Sequence, residues 1–214
     1  MELRVPDRPQ PGRRRHPVGA RIAGPRSGGS RGRDGALTPV EDAPEPRPQD
    51  PAWPRYSSRP FPPYRFLPGL HPHPHRDPGG HSYGTAAPIL DDWSPAEWRS
   101  NEPYLYGIDL YNFAYWWEAH EVLEGLWHAA GRTSPRAWFV QGIIHVAAAN
   151  LNLFRGNVAA GRRQARRGID RLRPHAGQIW MGIDVDEFIG EVEAYLADRS
   201  KGPALIELKS FEEP

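Results

Sequence analysis

From residue 94 onward, apolar residues recur at intervals of three and four, the period of helices that bury one face. Ser94-Pro95-Ala96-Glu97 is a helix-start signature: a capping serine, proline at the first helical position and an acid shortly after. The helix it opens is short. A second helix is predicted from Pro103 to Asn112, with Leu105, Ile108 and Tyr111 or Asn112 on one side. A third covers Tyr115 to Ala130 and stops at Gly131, and a fourth runs from Ser134-Pro135 to Arg155 with Gly156 as its stop. A fifth spans Val158 to Arg173 before Pro174, and a sixth spans Asp186 to Leu196.

The fourth helix departs from the one-sided pattern. Val140, Ile143, Ile144, Val146, Ala147, Leu151, Leu153 and Phe154 surround its axis, so it should be buried on nearly every side. The predicted fold class is therefore all-α: a small helical bundle with one central buried helix surrounded by about five others.

Upstream the pattern vanishes. Of 25 prolines, 19 lie between Met1 and Pro88, which separates a helical region from one that cannot be helical. Residues 1–51 are rich in Arg, Pro and Gly and too poor in large apolar groups to offset the entropy of ordering, so they read as a disordered tail. Residues 52–92 alternate proline with aromatics and histidines, as in Arg59-Pro60-Phe61-Pro62-Pro63-Tyr64-Arg65-Phe66-Leu67 and His71-Pro72-His73-Pro74-His75. That composition favours extended chain. Tyr64, Phe66 and Leu67 need cover, so this segment is expected to pack along the helical domain as an arm. Residues 93–200 form the helical domain, and 201–214 read as a polar, fray-prone tail.

Charge changes the picture only locally. The formal net charge is +1, but Met1 to Arg33 holds nine arginines against Glu2 and Asp7. From Ser94 onward 13 Lys and Arg face 16 Asp and Glu, which argues against nucleic acid as the partner of the helical domain. With no cysteine, any metal must be held by His, Asp or Glu. No apolar run is expected to reach the roughly 18 residues of a membrane span, and the amino terminus lacks a secretion signal. A cytoplasmic protein with no membrane partner is the resulting expectation.

Candidate chemistry lies on two helices. On the third, Trp116, Leu123, Leu126 and Trp127 form a core arc, with His120 and Glu124 together at its edge and Glu121 and His128 beyond. On the fourth, Trp138, Gln141, His145, Ala149 and Asn152 share one arc. The short turn between these helices makes them antiparallel, so His120, Glu124, Gln141 and His145 can face one another across a seam. That grouping offers ligands for Zn, Mn or Fe, or a histidine beside a carboxylate as a general base. It also serves equally as a set of core histidines satisfied by Glu124, Gln141 or backbone carbonyls. His120-Glu121-Val122-Leu123-Glu124 departs from the zinc-protease motif, because Glu124 stands where the second histidine belongs. Asn112 reads as a cap or turn residue before it reads as a ligand. His71, His73, His75 and His81 offer further nitrogens from the arm, and His81-Ser82-Tyr83-Gly84 reads as a turn. Arg162, Arg163, Arg166 and Arg167 read as the solvated face of a surface helix.

The stretch Leu110-Tyr111-Asn112-Phe113-Ala114-Tyr115-Trp116-Trp117-Glu118-Ala119-His120-Glu121-Val122-Leu123-Glu124-Gly125-Leu126-Trp127 closely resembles the signature of a prokaryotic family, domain of unknown function 309. The resemblance continues through Gln141-Gly142-Ile143-Ile144-His145 and Leu153-Phe154-Arg155-Gly156-Asn157, covering residues 104 to 175. It implies a small bundle with one central helix, and it matches the family pattern at Glu118, Ala119, His120, Glu121, Trp127, Gln141 and the Gly156-Asn157 turn. It implies no substrate. The segment from Arg65 to Gly84 is similar to an extension that some members carry.

Two functional readings follow. In the first, a His- and Glu-lined interhelical pocket is hydrolase-like: His120, Glu124 and His145 hold a divalent metal, Glu121 or Glu118 acts as base, and Gln141, Asn112 and Trp127 contact a small-molecule ligand. In the second, the protein is a non-enzymatic binding or assembly module, including a homo-oligomer, in which these polar residues fix helix register.

Overall fold

The computed structural model describes residues 45–209 except residue 87, so the Arg-rich segment up to residue 44 lies outside the described residues. Among the described residues five α-helices carry the fold: α1 (Glu102–Asn112), α2 (Trp116–Ala129), α3 (Pro135–Phe154), α4 (Val158–Leu172) and α5 (Val185–Ala197). The stretch expected as a short first helix is a 3-10 helix, Pro95–Ser100, capped by the Ser94 side chain, which accepts from the Ala96 N–H. Asn101 caps α1 through the Tyr104 N–H, and Ser134 caps α3 through the Ala137 N–H, each just before a proline in the first turn.

α3 is the centre, as its all-round apolar pattern requires. It is packed between α2 and α4 and buries residues on every side, from Ala137 and Phe139 to Asn152 and Leu153. Its 20 residues are long and apolar enough to cross a bilayer by length and composition, a correction to the sequence expectation; 78% of the qualifying window is buried inside the bundle, as a core helix requires. Glycines let α4 approach closely. A Cβ at Gly142 would stand 2.6 Å from Leu172, and one at Gly168 would stand 2.9 Å from the Gly142 carbonyl oxygen.

α1 ends in a full Schellman motif: the Tyr115 N–H donates to the Leu110 carbonyl at 2.8 Å and the Ala114 N–H to Tyr111 at 3.2 Å. The left-handed position is filled by Ala114 at φ 64°, not by glycine.

Between α4 and α5 lies an element that the helical pattern does not announce, a hairpin of β1 (Ile179–Trp180) and β2 (Ile183–Asp184) paired antiparallel with Trp180 opposite Ile183. Its two-residue turn has Met181 at φ 49° and Gly182 at φ 81°. The Trp98 indole lies against Gly182, where a Cβ would meet it at 2.6 Å.

The proline-rich arm has no regular structure and is clasped to the bundle by side chains. Phe66 and Leu67 are buried in the core, and Phe61 stacks on Tyr115 and meets Phe113 at a tilt, 4.9 Å from each ring. Asp109, 0% exposed in the middle of α1, accepts from the Tyr56 N–H at 2.8 Å, the Ser57 N–H at 2.9 Å and Arg55 Nε at 3.1 Å. Residues 203–209 are also seated, where the sequence suggested fraying; the rest of that expected tail lies outside the described residues. Ile206 is 1% exposed, its N–H and carbonyl both bonded at 2.8 Å to the Asn112 side chain, and Tyr111 Oη donates to the Ala204 carbonyl.

Candidate functional site

A cavity of about 250 Å³ opens between the arm and the exposed side of α1 and α2. Trp117, Glu118, Glu121, Val122 and Gly125 line it from α2, at the spacing that puts residues on one helical face. Pro103, Tyr106 and Leu110 contribute from α1; Arg59, His75, His81 and Ser82 come from the arm. Apolar walls with a few converging polar groups are the ordinary make-up of a small-molecule site.

Glu118 is its deepest polar group, 4% exposed. Oε1 accepts the Phe66 N–H at 2.8 Å and lies 3.3 Å from His81 Nε2. Oε2 is buried and has no hydrogen-bond partner among the described residues. His81 in turn places Nδ1 2.8 Å from Ser82 Oγ, and its backbone N–H donates to Tyr64 Oη. A hydrogen-bonded line thus runs from the core carboxyl through an imidazole to a hydroxyl, all three residues lining one cavity.

Glu121 forms the second polar corner. Burial alone would raise its carboxyl, but the neighbouring imidazole of His120, with those of His75 and His73 behind, outweighs burial and holds it below the usual carboxylate range. His75 Nε2 stands 4.0 Å from Glu121 Oε2. Burial, and then Arg76, lowers His73.

One helical turn presents a possible cation-binding group: ligand atoms of His120, Glu121 and Glu124 all lie within 4.8 Å of one another, on half-buried side chains. His120 Nδ1 is 3.4 Å from Glu121 Oε1, an ion-pair separation without hydrogen-bond geometry, so this buried nitrogen has no hydrogen-bond partner among the described residues. Glu124 also lies 3.8 Å from His128 Nε2.

His145 does not join this group. It turns to α4, with Nδ1 2.9 Å from Gln164 Oε1, because its arc on α3 lies beneath the Arg167 and Arg171 side of α4. Gln141 is half-buried on α3 and is not among the residues lining the cavity. Trp127 donates from Nε1 to the Arg132 carbonyl at 3.3 Å in the turn after α2, away from the cavity lining. Asn112 spends both ends of its amide on Ile206, tethering the C-terminal segment, and is not among the residues lining the cavity. Of the sequence-predicted residues, the structure therefore gathers Glu118 and Glu121 at the cavity and His120, Glu121 and Glu124 beside it.

His81 was named from the sequence as one of four arm histidines offering nitrogens, whereas Asp109, Ser82, Arg59 and Tyr106 were not singled out as site residues. Asp109 carried a signal, a lone acid inside the apolar run Tyr104 to Tyr111. Ser82 and Arg59 carried none, since only the folded path of the arm brings them to the cavity. Residues 104–164, from α1 into α4, match the family model described as a domain of unknown function, DUF309. No curated protein and no solved structure matches the chain.

Proposed function

We propose that this DUF309-domain protein is hydrolase-like and takes a small molecule into the cavity beneath its arm. The observation behind this reading is the Glu118 carboxyl: buried at the cavity, bonded through Oε1 to His81, and left with Oε2 unpartnered. A clasp for the arm needs only the bond to Phe66. A buried acceptor without a partner costs about 1–3 kcal/mol, and groups of this kind concentrate at functional sites. In this reading His81 is the general base, Glu118 holds its ring, and Glu121 with His75 forms the opposite polar wall.

The test is a thermal-shift screen of the full chain against small esters, amides and phosphoesters, paired with a hydrolysis assay. One class should raise Tm and be turned over, with turnover lost in His81→Gln and Glu118→Gln. Failure of every class to bind or react would remove the reading.

A second reading concerns a divalent cation. His120, Glu121 and Glu124 offer one nitrogen and two carboxylates within 4.8 Å, a donor set acceptable to Zn, Mn or Fe. Glu121 would then join the cation to the cavity edge. Metal content of chelator-free protein checks this: near-stoichiometric metal lost in His120→Ala, but kept when the His71 to His75 run is replaced, supports it. Absence of metal from all three proteins rejects it. The assembly-module alternative draws its support from Asp109 and Asn112, whose side chains are fully engaged in holding the arm and the C-terminal segment.

A further inference from the structure

We infer that Ser82 is a nucleophile for acyl transfer to water, activated by His81 and aligned by the buried Glu118, and that its substrate is a small carboxylic ester. The inference rests on the cavity reading above and adds the attacking atom and the substrate class. Three residues on two separate elements, the arm and α2, meet in the order hydroxyl, imidazole, carboxyl. The distances are 2.8 Å from Ser82 Oγ to His81 Nδ1 and 3.3 Å from His81 Nε2 to Glu118 Oε1.

The tautomer follows from the partners. A carboxyl oxygen at Nε2 favours the proton on that nitrogen, so the Nδ1 lone pair is left to accept from the serine hydroxyl. These are the roles of a nucleophile, a base and an orienting acid, with the two ring nitrogens exchanged relative to the usual serine-hydrolase arrangement; roles and geometry define such a site, not sequence order. Burial supports the assignment. The His81 side chain is 8% exposed and that of Glu118 4%, so the charge on the imidazolium that forms during reaction would be stabilised by Glu118 with little screening from water.

The step balances without a cofactor. Ser82 Oγ bonds to the ester carbonyl carbon as its proton passes to His81 Nδ1. The tetrahedral adduct collapses, the carbon–oxygen bond to the alcohol breaks, and the leaving alkoxide takes the proton from Nδ1. Water then adds to the acyl-serine, giving its proton to Nδ1, and collapse returns that proton to Oγ and frees the acid. Arg59, in the same lining and with its guanidinium 4.2 Å over the Tyr106 ring, brings a fixed positive charge to the cavity. The cavity of about 250 Å³ between Trp117, Leu90 and Val122 accommodates a short acyl group and a small alcohol.

The experiment uses the full chain and two probes, a fluorophosphonate and p-nitrophenyl butyrate. The fluorophosphonate should label wild type on Ser82, located by peptide mass, and label neither Ser82→Ala nor His81→Gln. Hydrolysis of the ester should fall at least about 100-fold in both variants, with melting temperatures near that of wild type. Glu118→Gln should lower kcat and leave KM nearly unchanged, a split that loosening of the arm would not give. Labelling of no residue, or of another residue, in folded wild type overturns the inference whether or not the variants fold. Turnover kept in Ser82→Ala but lost in His81→Gln overturns it while leaving the cavity reading intact, because water is then attacking. Absence of ester turnover in wild type overturns it too; only failure of all three substrate classes in the broader screen removes the cavity reading.

Discussion

Asp109 and Ser57 lie 52 positions apart in sequence, yet the Asp109 carboxylate accepts the Ser57 backbone N–H at 2.9 Å from the middle of α1. With Tyr56 N–H and Arg55 Nε on the same carboxylate, one fully buried acid fixes three consecutive residues of the arm. The wall of the cavity that Arg59 provides begins immediately after this anchor.

Asp109→Asn keeps the shape but places an amide NH₂ against backbone donors. With the amide oxygen at the Oδ2 position the Ser57 and Arg55 bonds survive and the Tyr56 N–H is left facing an NH₂; the opposite orientation loses two bonds, and in either case Arg55 loses its counter-charge. We expect a loss of about 2–4 kcal/mol, measured by urea unfolding, together with faster protease cleavage in the arm. Wild-type stability in this variant would mean that the arm is held by its aromatics alone.

Asn112→Ala should act at the other end of the chain. It leaves the buried Ile206 N–H without its acceptor, whereas the Ile206 carbonyl keeps the Trp53 indole N–H at 3.3 Å. The expected cost is about 2 kcal/mol. Amide hydrogen exchange at Ile206 should quicken more than exchange in α3, and equal changes in both would count against a local tether.

The helices were legible from their periods together with local start and stop residues: Ser134-Pro135 opens α3 and Gly156 follows its end. Burial of α3 was legible for the same reason, since apolar residues surround its axis. What escaped was everything determined by chain paths between elements. Asp109 and Asn112 bond to backbone atoms, and a backbone N–H leaves no trace in sequence. His81 and Ser82 depend on how the arm folds back over α2. His145 shares an arc with Gln141, as the periodicity requires, but α4 covers that arc, and periodicity does not say which neighbour covers a helix. The hairpin was missed because Met181-Gly182 is not the usual asparagine-glycine turn pair and its strands have only two residues each.

Ala114 occupies a left-handed position, φ 64°, at the end of α1. An L-residue with a Cβ is strained there by roughly 1–2 kcal/mol, which glycine avoids, although glycine also loses more entropy on folding. Ala114→Gly should therefore stabilise the protein by up to about 1 kcal/mol, seen as a raised urea midpoint at unchanged slope. Destabilisation would show that the buried Ala114 methyl outweighs the backbone strain.

His145 sets a pH dependence. Burial, followed by the nearby Arg167, Arg171 and His120, lowers it from 6.5 to about 4, against an opposing contribution from its bond to Gln164. A histidine lowered in the folded state stays neutral there while the unfolded chain takes up its proton. Stability is therefore full above the unfolded value of 6.5 and declines as pH falls toward the folded value of about 4. Below the folded value both states are protonated and this contribution stops changing. The whole window is worth about 3 kcal/mol at most. His73 and His175 are lowered too, chiefly by burial, and add to the slope in the same direction. Comparison with His145→Gln isolates its share: the urea midpoint of wild type should fall more than that of the variant between about pH 7 and about pH 5. Parallel curves would mean that His145 takes up its proton without unfolding, with Arg167 and Arg171 moving aside to admit the charge.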